Sequence, residues 1–154
     1  MNDDINGMHP IIGTWRLETF EGIGRSGERQ LPLGPNPVAM LVYDAAGHVC
    51  GQGMRSDRPR FATDSPGAGT PEEIRAAFVG YMGYFGSYTL DDERGVVVHT
   101  LEGSLFPNWI GTQQSREFEI VDDRLTLRSP PVTIGDDRFL VVAVWRRIGG
   151  IHRL

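Results

Sequence analysis

Lysine is absent from the 154 residues, and all 15 basic side chains are arginine. That excludes a Schiff-base lysine, a phosphate-loop lysine and a lysine general base. Cysteine occurs once, at Cys50, so neither an internal disulfide nor a zinc-finger framework is available. Long apolar runs are also missing; those near residues 139–145 are far too short to span a bilayer as a helix. The start, MNDDINGMHPIIG, is acidic and lacks the basic and apolar regions of a secretion signal. With 20 acidic residues against 15 basic ones the formal charge is −5, which argues against a nucleic-acid footprint. No phosphate-binding glycine loop, serine elbow or dinucleotide fingerprint is present, and GIGRSG at 22–27 precedes no helical pattern. A soluble, cytoplasmic protein with no nucleic-acid or membrane partner is expected. Residues 1–10 read as a loose N-terminus, 11–148 as a single domain and 149–154 as a short tail.

What is present in quantity is turn chemistry. Twenty glycines and ten prolines are spread without a period, the pattern of many turns between short strands. Alternation predicts strands at 12–21, 38–44, 47–54, 85–91, 95–103, 110–121, 124–129 and 138–147. On the first of these, Trp15, Leu17 and Thr19 share one face. Short connections make consecutive strands antiparallel. One helix interrupts them: Thr70, Pro71 and Glu73 form a capping box, and Ile74, Ala77, Phe78, Tyr81, Met82 and Phe85 follow at helical spacing to an end near Gly83. The fold class predicted is all-β, an antiparallel up-and-down barrel of about eight strands with one inserted helix. A barrel of this size is either filled by side chains or holds one small ligand. Strands 96–101 and 139–145 are apolar on both faces, so the helix or a second subunit of a homodimer is expected to cover them.

Several stretches together carry a resemblance: GTWRLETFE (13–21), PLGPNPVAMLVYDAAGHV (32–49), RSDRPRFATDSPGAGTPEEIRAAFVGYMGYFGSYTL (55–90), HTLEGSLFPNWIGTQQSREFEI (99–120), DRLTLRSPP (123–131) and VWRR (144–147). Over nearly the whole chain this resembles the bacterial and fungal lipocalin-like domain family. The resemblance implies a small antiparallel barrel with a central cavity. It implies little about activity, since related small barrels include passive carriers and cyclases or isomerases of natural-product intermediates, and it supplies no catalytic set.

Candidate site residues therefore come from strand parity. On 110–121, Phe118 and Ile120 mark the core face, which puts Arg116, Gln114 and Thr112 inward. An inward arginine needs a partner, either a protein carboxylate in a salt bridge plugging the barrel or an anionic group on a ligand. On 95–103, His99 shares parity with Val97 and Leu101, where an imidazole either finds a backbone partner or meets a ligand. Glu102 lies on the opposite face unless Gly103 marks a bulge. On 47–54, His48, Cys50, Gln52 and Met54 share a face, and the glycines at 51 and 53 suggest close approach on the other, making the His48 and Cys50 face the cavity side. Cys50 reads as a small buried thiol. His48 and His99, with Glu102 or Glu117 as a third ligand, make a poor metal set, and no metal or cofactor is expected. Arg55, Arg58 and Arg60 lie in a loop that either attracts an anionic ligand or pairs with Asp57 and Asp64. Trp109 in the 106–109 loop caps the cavity or fills an interface.

Two functions follow. In the first, the barrel binds a small, largely apolar molecule bearing a polar or anionic group, with Arg116, Gln114, His99 and Tyr88 orienting the polar end, and His48, Trp15, Phe118, Arg55 and Trp109 contributing to the site. In the second, the same cavity houses a cofactor-independent isomerase or cyclase of secondary metabolism, with His99 as general acid/base and Arg116 and Tyr88 stabilising an oxyanion. A third, structural reading has the barrel filled and the apolar outer strands mediating assembly.

Overall fold

Eight strands close on themselves in the computed structural model, which describes residues 7–134 and 136–149. The strands of the closed barrel are β1 (Gly13–Gly24), β3 (Val38–Tyr43), β4 (His48–Met54), β5 (Tyr81–Asp91), β6 (Val96–Ser104), β7 (Gln113–Val121), β8 (Arg124–Arg128) and β10 (Asp137–Ile148). Each pairs antiparallel with its neighbours, and β1 seals the circle by pairing with both β3 and β10. Two short strands, β2 (Arg29–Gln30) and β9 (Val132–Ile134), extend the lip at the end of β1 and the start of β10. Residues 1–6 and 150–154, most of the expected loose termini, lie outside the described residues. No helix among the described residues is long and apolar enough to cross a membrane.

Two departures from simple patterning shape the barrel. The register of β1 against β10 slips between Leu17 and Thr19, so Trp15 and Leu17 are buried while Thr19 is exposed and Phe20 turns inward. Strict alternation had placed Thr19 with Trp15; the bulge reverses the parity. The helix α1 (Pro71–Val79) also stops earlier than its spacing suggested. Its capping box is as expected: the Thr70 hydroxyl accepts from the Glu73 amide, and Glu73 accepts from the Thr70 amide. Gly80 ends it, and the Arg58 guanidinium donates to the Ala77 carbonyl in its last turn. Tyr81, Met82 and Phe85 belong to β5. Glycines at 80, 83 and 86 interrupt the segment, and its aromatic residues suit a strand that β4 is placed to pair.

Helix α1 packs on β5 and has no buried residue of its own. It is therefore not the cover expected for the apolar outer strands. Residues with long polar side chains flank these strands: Val96 stands opposite Glu117, and Val142 lies between Glu21 and Arg128.

One end of the barrel is sealed. Trp15 is fully buried, its indole N–H donates to the Ile11 carbonyl at 2.9 Å, and the Arg147 guanidinium stacks on the ring at 4.2 Å. Arg147 also donates to the carbonyls of Ile12, at 2.8 Å, and Pro10. The clamp ties the incoming N-terminal segment to the last strand, and Trp15 sits in it rather than in a ligand site. Arg147→Met removes the cation–π contact and both carbonyl bonds, with an expected loss of about 2–4 kcal/mol. Urea unfolding should show a lower midpoint at unchanged slope; an unchanged midpoint would refute the clamp.

Candidate functional site

The other end is open onto a cavity of about 690 Å³ that runs down the barrel axis. Its wall is mainly apolar, with Leu17 and Phe20 from β1, Ala143 and Trp145 from β10, and Leu33 and Met82 closer to the rim. Trp109, in the short helical turn Pro107–Trp109, lines the mouth and meets Phe106 edge to face with ring centroids 5.7 Å apart. Among the described residues, no aspartate, glutamate or histidine lines the cavity.

Strand β7 alternates as the sequence suggested: Gln114, Arg116, Phe118 and Ile120 face inward, half-buried, between exposed neighbours. Arg116 lines the cavity, and its Nη2 donates to the Gln114 side-chain oxygen at 2.8 Å. Among the described residues that is its one hydrogen bond, and no carboxylate lies within ion-pair distance of it. The salt-bridge plug considered for this residue is not there. Phe118 packs deeper, edge to face with His9 at 5.8 Å, and does not line the cavity.

His99 faces inward from β6 and is completely buried. It lies beneath the cavity floor, its Nε2 2.7 Å from the Tyr43 hydroxyl and its Nδ1 without a partner among the described residues. Burial, aided by the nearby Arg116 charge, holds its pKa down from 6.5 to about 3, so the ring is neutral at physiological pH. Burial likewise raises the phenols of Tyr43 and Tyr84. The bulge considered near Gly103 is present, since Phe85 pairs with Gly103 and Gly86 with Leu101, yet Glu102 stays exposed.

Strand β4 is turned the opposite way from the sequence reading. Val49, Gly51 and Gly53 face inward, while His48, Cys50 and Gln52 are exposed. His48 bonds Asp44 on the surface, its Nδ1 2.9 Å from the carboxylate. The glycines do mark a close approach, but it comes from inside the barrel. A Cβ on Gly51 would lie 2.8 Å from the Tyr84 ring, so Gly51 is the recess into which Tyr84 is laid. With His48 and His99 on opposite sides of the wall, the metal set weighed above does not assemble.

Tyr84 is the residue the sequence reading missed. It lines the cavity at 7% exposure, and its hydroxyl makes no hydrogen bond among the described residues. Tyr88, expected to serve as the site's phenol, instead spends its hydroxyl on the Asp44 carbonyl at 2.7 Å and packs edge to face on Tyr43. The signal for Tyr84 was the pair of glycines on the partner strand: an inward glycine in a barrel wall invites an aromatic from across the pair. Arg55 also falls outside the cavity, held by Asp57 in a bidentate pair at 2.9 and 2.8 Å. Arg116, Gln114, Tyr84 and Trp109 are thus brought together around one space; His48, Trp15, Phe118, Tyr88 and Arg55 are not.

Comparison with known proteins bears on this arrangement. The lipocalin-like domain family matches residues 12–148 of the chain. A protein of Aspergillus oryzae (strain ATCC 42149 / RIB 40), described as the 4'-hydroxy-3'-methoxypropiophenone carrier protein ppsC, is 33% identical over 104 residues. The aligned part covers 63% of this chain and 94% of that protein.

The buried imidazole gives a pH test. Between about pH 6.5 and 3 the unfolded chain takes up a proton on His99 that the folded chain refuses. Stability is therefore full above that window and falls as the pH drops, at up to about 1.4 kcal/mol per unit. Glu18 and Asp44, held below their ordinary values of 4.5 and 3.8 by Arg146 and by the His48 amide, add to the fall only as the pH drops past those values. In urea unfolding at about pH 7 and pH 5, His99→Gln should flatten the difference; an equal fall in both proteins would show that His99 titrates normally when folded.

Proposed function

This chain belongs to the lipocalin-like domain family, and we propose that it carries a small, largely apolar molecule whose oxygen substituent is held by Arg116 inside the barrel. The observation that carries this reading is Arg116 itself: among the described residues it has no carboxylate partner, and it sits in an apolar cavity near Tyr84, whose hydroxyl is likewise unbonded among them. Few polar groups aimed into an apolar pocket fix a ligand's orientation while the walls supply most of the affinity. The fungal relative's name supports the class of cargo, because a phenolic ketone joins one aromatic ring to oxygen substituents. Trp109, Trp145, Phe20 and Tyr84 offer such a ring aromatic walls.

The same cavity would serve an isomerase or cyclase, and two features favour carriage over it. A general acid/base works best with a pKa near the operating pH. At about 3, His99 has no proton to give at neutral pH and takes one poorly, and its Nε2 is engaged by Tyr43. The Tyr88 hydroxyl is engaged as well.

Native mass spectrometry of the freshly purified protein is the test. The expected spectrum shows a small-molecule adduct on the wild type that Ala143→Phe loses, because the added ring fills the space beside Leu127. An adduct of equal occupancy on both proteins would put the ligand outside the barrel. An empty wild-type barrel would count against a tightly held cargo.

A further inference from the structure

The half-buried arginines differ in their partners. Arg55 and Arg128 are held by Asp57 and Glu119, and Arg58 and Arg147 donate to backbone carbonyls. Arg116 has neither among the described residues; its partner is the neutral amide of Gln114. Water reaches it through the open mouth. A ligand that enters displaces that water, and a neutral one would leave the guanidinium buried without solvent or counter-charge. An anion would supply the counter-charge in a site where charge-assisted bonds are strong.

The groups around Arg116 do not provide that charge. Tyr43 from β3, Tyr84 from β5 and His99 from β6 face it, and burial keeps the phenols protonated and the imidazole neutral. Gln114, on its own strand, is uncharged. Glu117 and Arg128 lie beside it on the outer surface, where Arg128 pairs with Glu119. Cys50 lies on the outer face of β4.

We infer that the cavity takes its ligand as an oxyanion, selecting an acidic hydroxyl such as a phenol, enol or carboxylic acid in its deprotonated form, with Arg116 as counter-ion and the Tyr84 hydroxyl as second donor. The inference rests on the carrier reading above and narrows it. The proton leaves to bulk water, since no carboxylate or imidazole among the described residues lines the cavity to hold it. The Tyr84 hydroxyl is suited to its part: the residue is fixed over Gly51, buried, and free of any bond among the described residues that an incoming oxygen would have to break.

The experiment compares 7-hydroxycoumarin with its methyl ether, 7-methoxycoumarin, using the full chain. The excitation spectrum of the hydroxyl compound distinguishes its phenol from its phenolate. Bound 7-hydroxycoumarin is expected to titrate about one pKa unit or more below the free dye, a tenfold preference for the anion. Arg116→Lys should retain the preference, Arg116→Gln should abolish it, and Tyr84→Phe should reduce it. Above the dye's own pKa, 7-methoxycoumarin should bind at least about tenfold more weakly. Tight binding of both compounds with an unshifted titration would overturn the oxyanion inference and leave carriage standing. Failure of both to bind would overturn the two together. The wild-type titration decides the matter even if a variant fails to fold.

Discussion

The closure of β1 onto β10 is the constraint on which the rest of this barrel depends. Ten paired positions run from Thr14 opposite Ile148 to Gly24 opposite Phe139, broken once by the slip after Leu17. Below the slip, Trp15 points into the barrel and Arg147 covers it, so that end is solid. Above it the parity is reversed, Phe20 faces inward, and the two strands run on past the barrel to form a lip with β2 and β9. Without the bulge, Thr19 would face the cavity in place of Phe20. The clamp fills one end, and a single extra residue in a long strand pair turns Phe20 into the wall of the open one.

The polar site depends on a second piece of steric arithmetic. Gly51 gives up its side chain on β4, and Tyr84 fills the vacancy from β5, which leaves its hydroxyl at the wall. Beyond β6, which pairs with both β5 and β7, strand β7 supplies Arg116 and Gln114. Beneath them the Tyr43 and His99 pair forms a neutral polar floor, deeply buried, that holds shape and does not titrate near physiological pH. Among the described residues, the charge lining the cavity then comes down to one cation, Arg116, in a mainly apolar chamber. A chemistry that needs proton traffic is poorly served by it, and recognition of an electron-rich oxygen is well served.

How much of this was legible in the sequence varied strand by strand. Where a strand carried clear apolar markers, alternation gave its facing: Phe118 and Ile120 oriented Arg116 and Gln114, and Val97 and Leu101 oriented His99. Strand β4 has few such markers, since two of its inward positions are glycine, and it read backwards; His48 and Cys50 followed it to the wrong side. Helical spacing misled for a related reason. Tyr81, Met82 and Phe85 recur at intervals that suit a helix, and only the glycines between them and the strand waiting alongside favour β5. That error hid Tyr84 and left Tyr88 as the apparent phenol. Trp15 was placed in the ligand site because alternation tells inward from outward, and says nothing of how deep along the axis a residue sits. Arg147, its clamp partner, lies 132 positions away in sequence (147 − 15), beyond the reach of any local pattern.

The central claim is that ligand occupies the open half of the barrel above a sealed floor, and the three tryptophans report on it directly. Trp109 lines the mouth and Trp145 the wall, while Trp15 is closed off beneath Arg147. In a proton–nitrogen correlation spectrum of the labelled protein titrated with 7-hydroxycoumarin, the indole signals of Trp109 and Trp145 should move and that of Trp15 should stay. A Trp15 signal that moves with the others would mean that the floor is not sealed. Indole signals that all stay fixed while the dye binds would place the ligand outside the barrel and contradict the account.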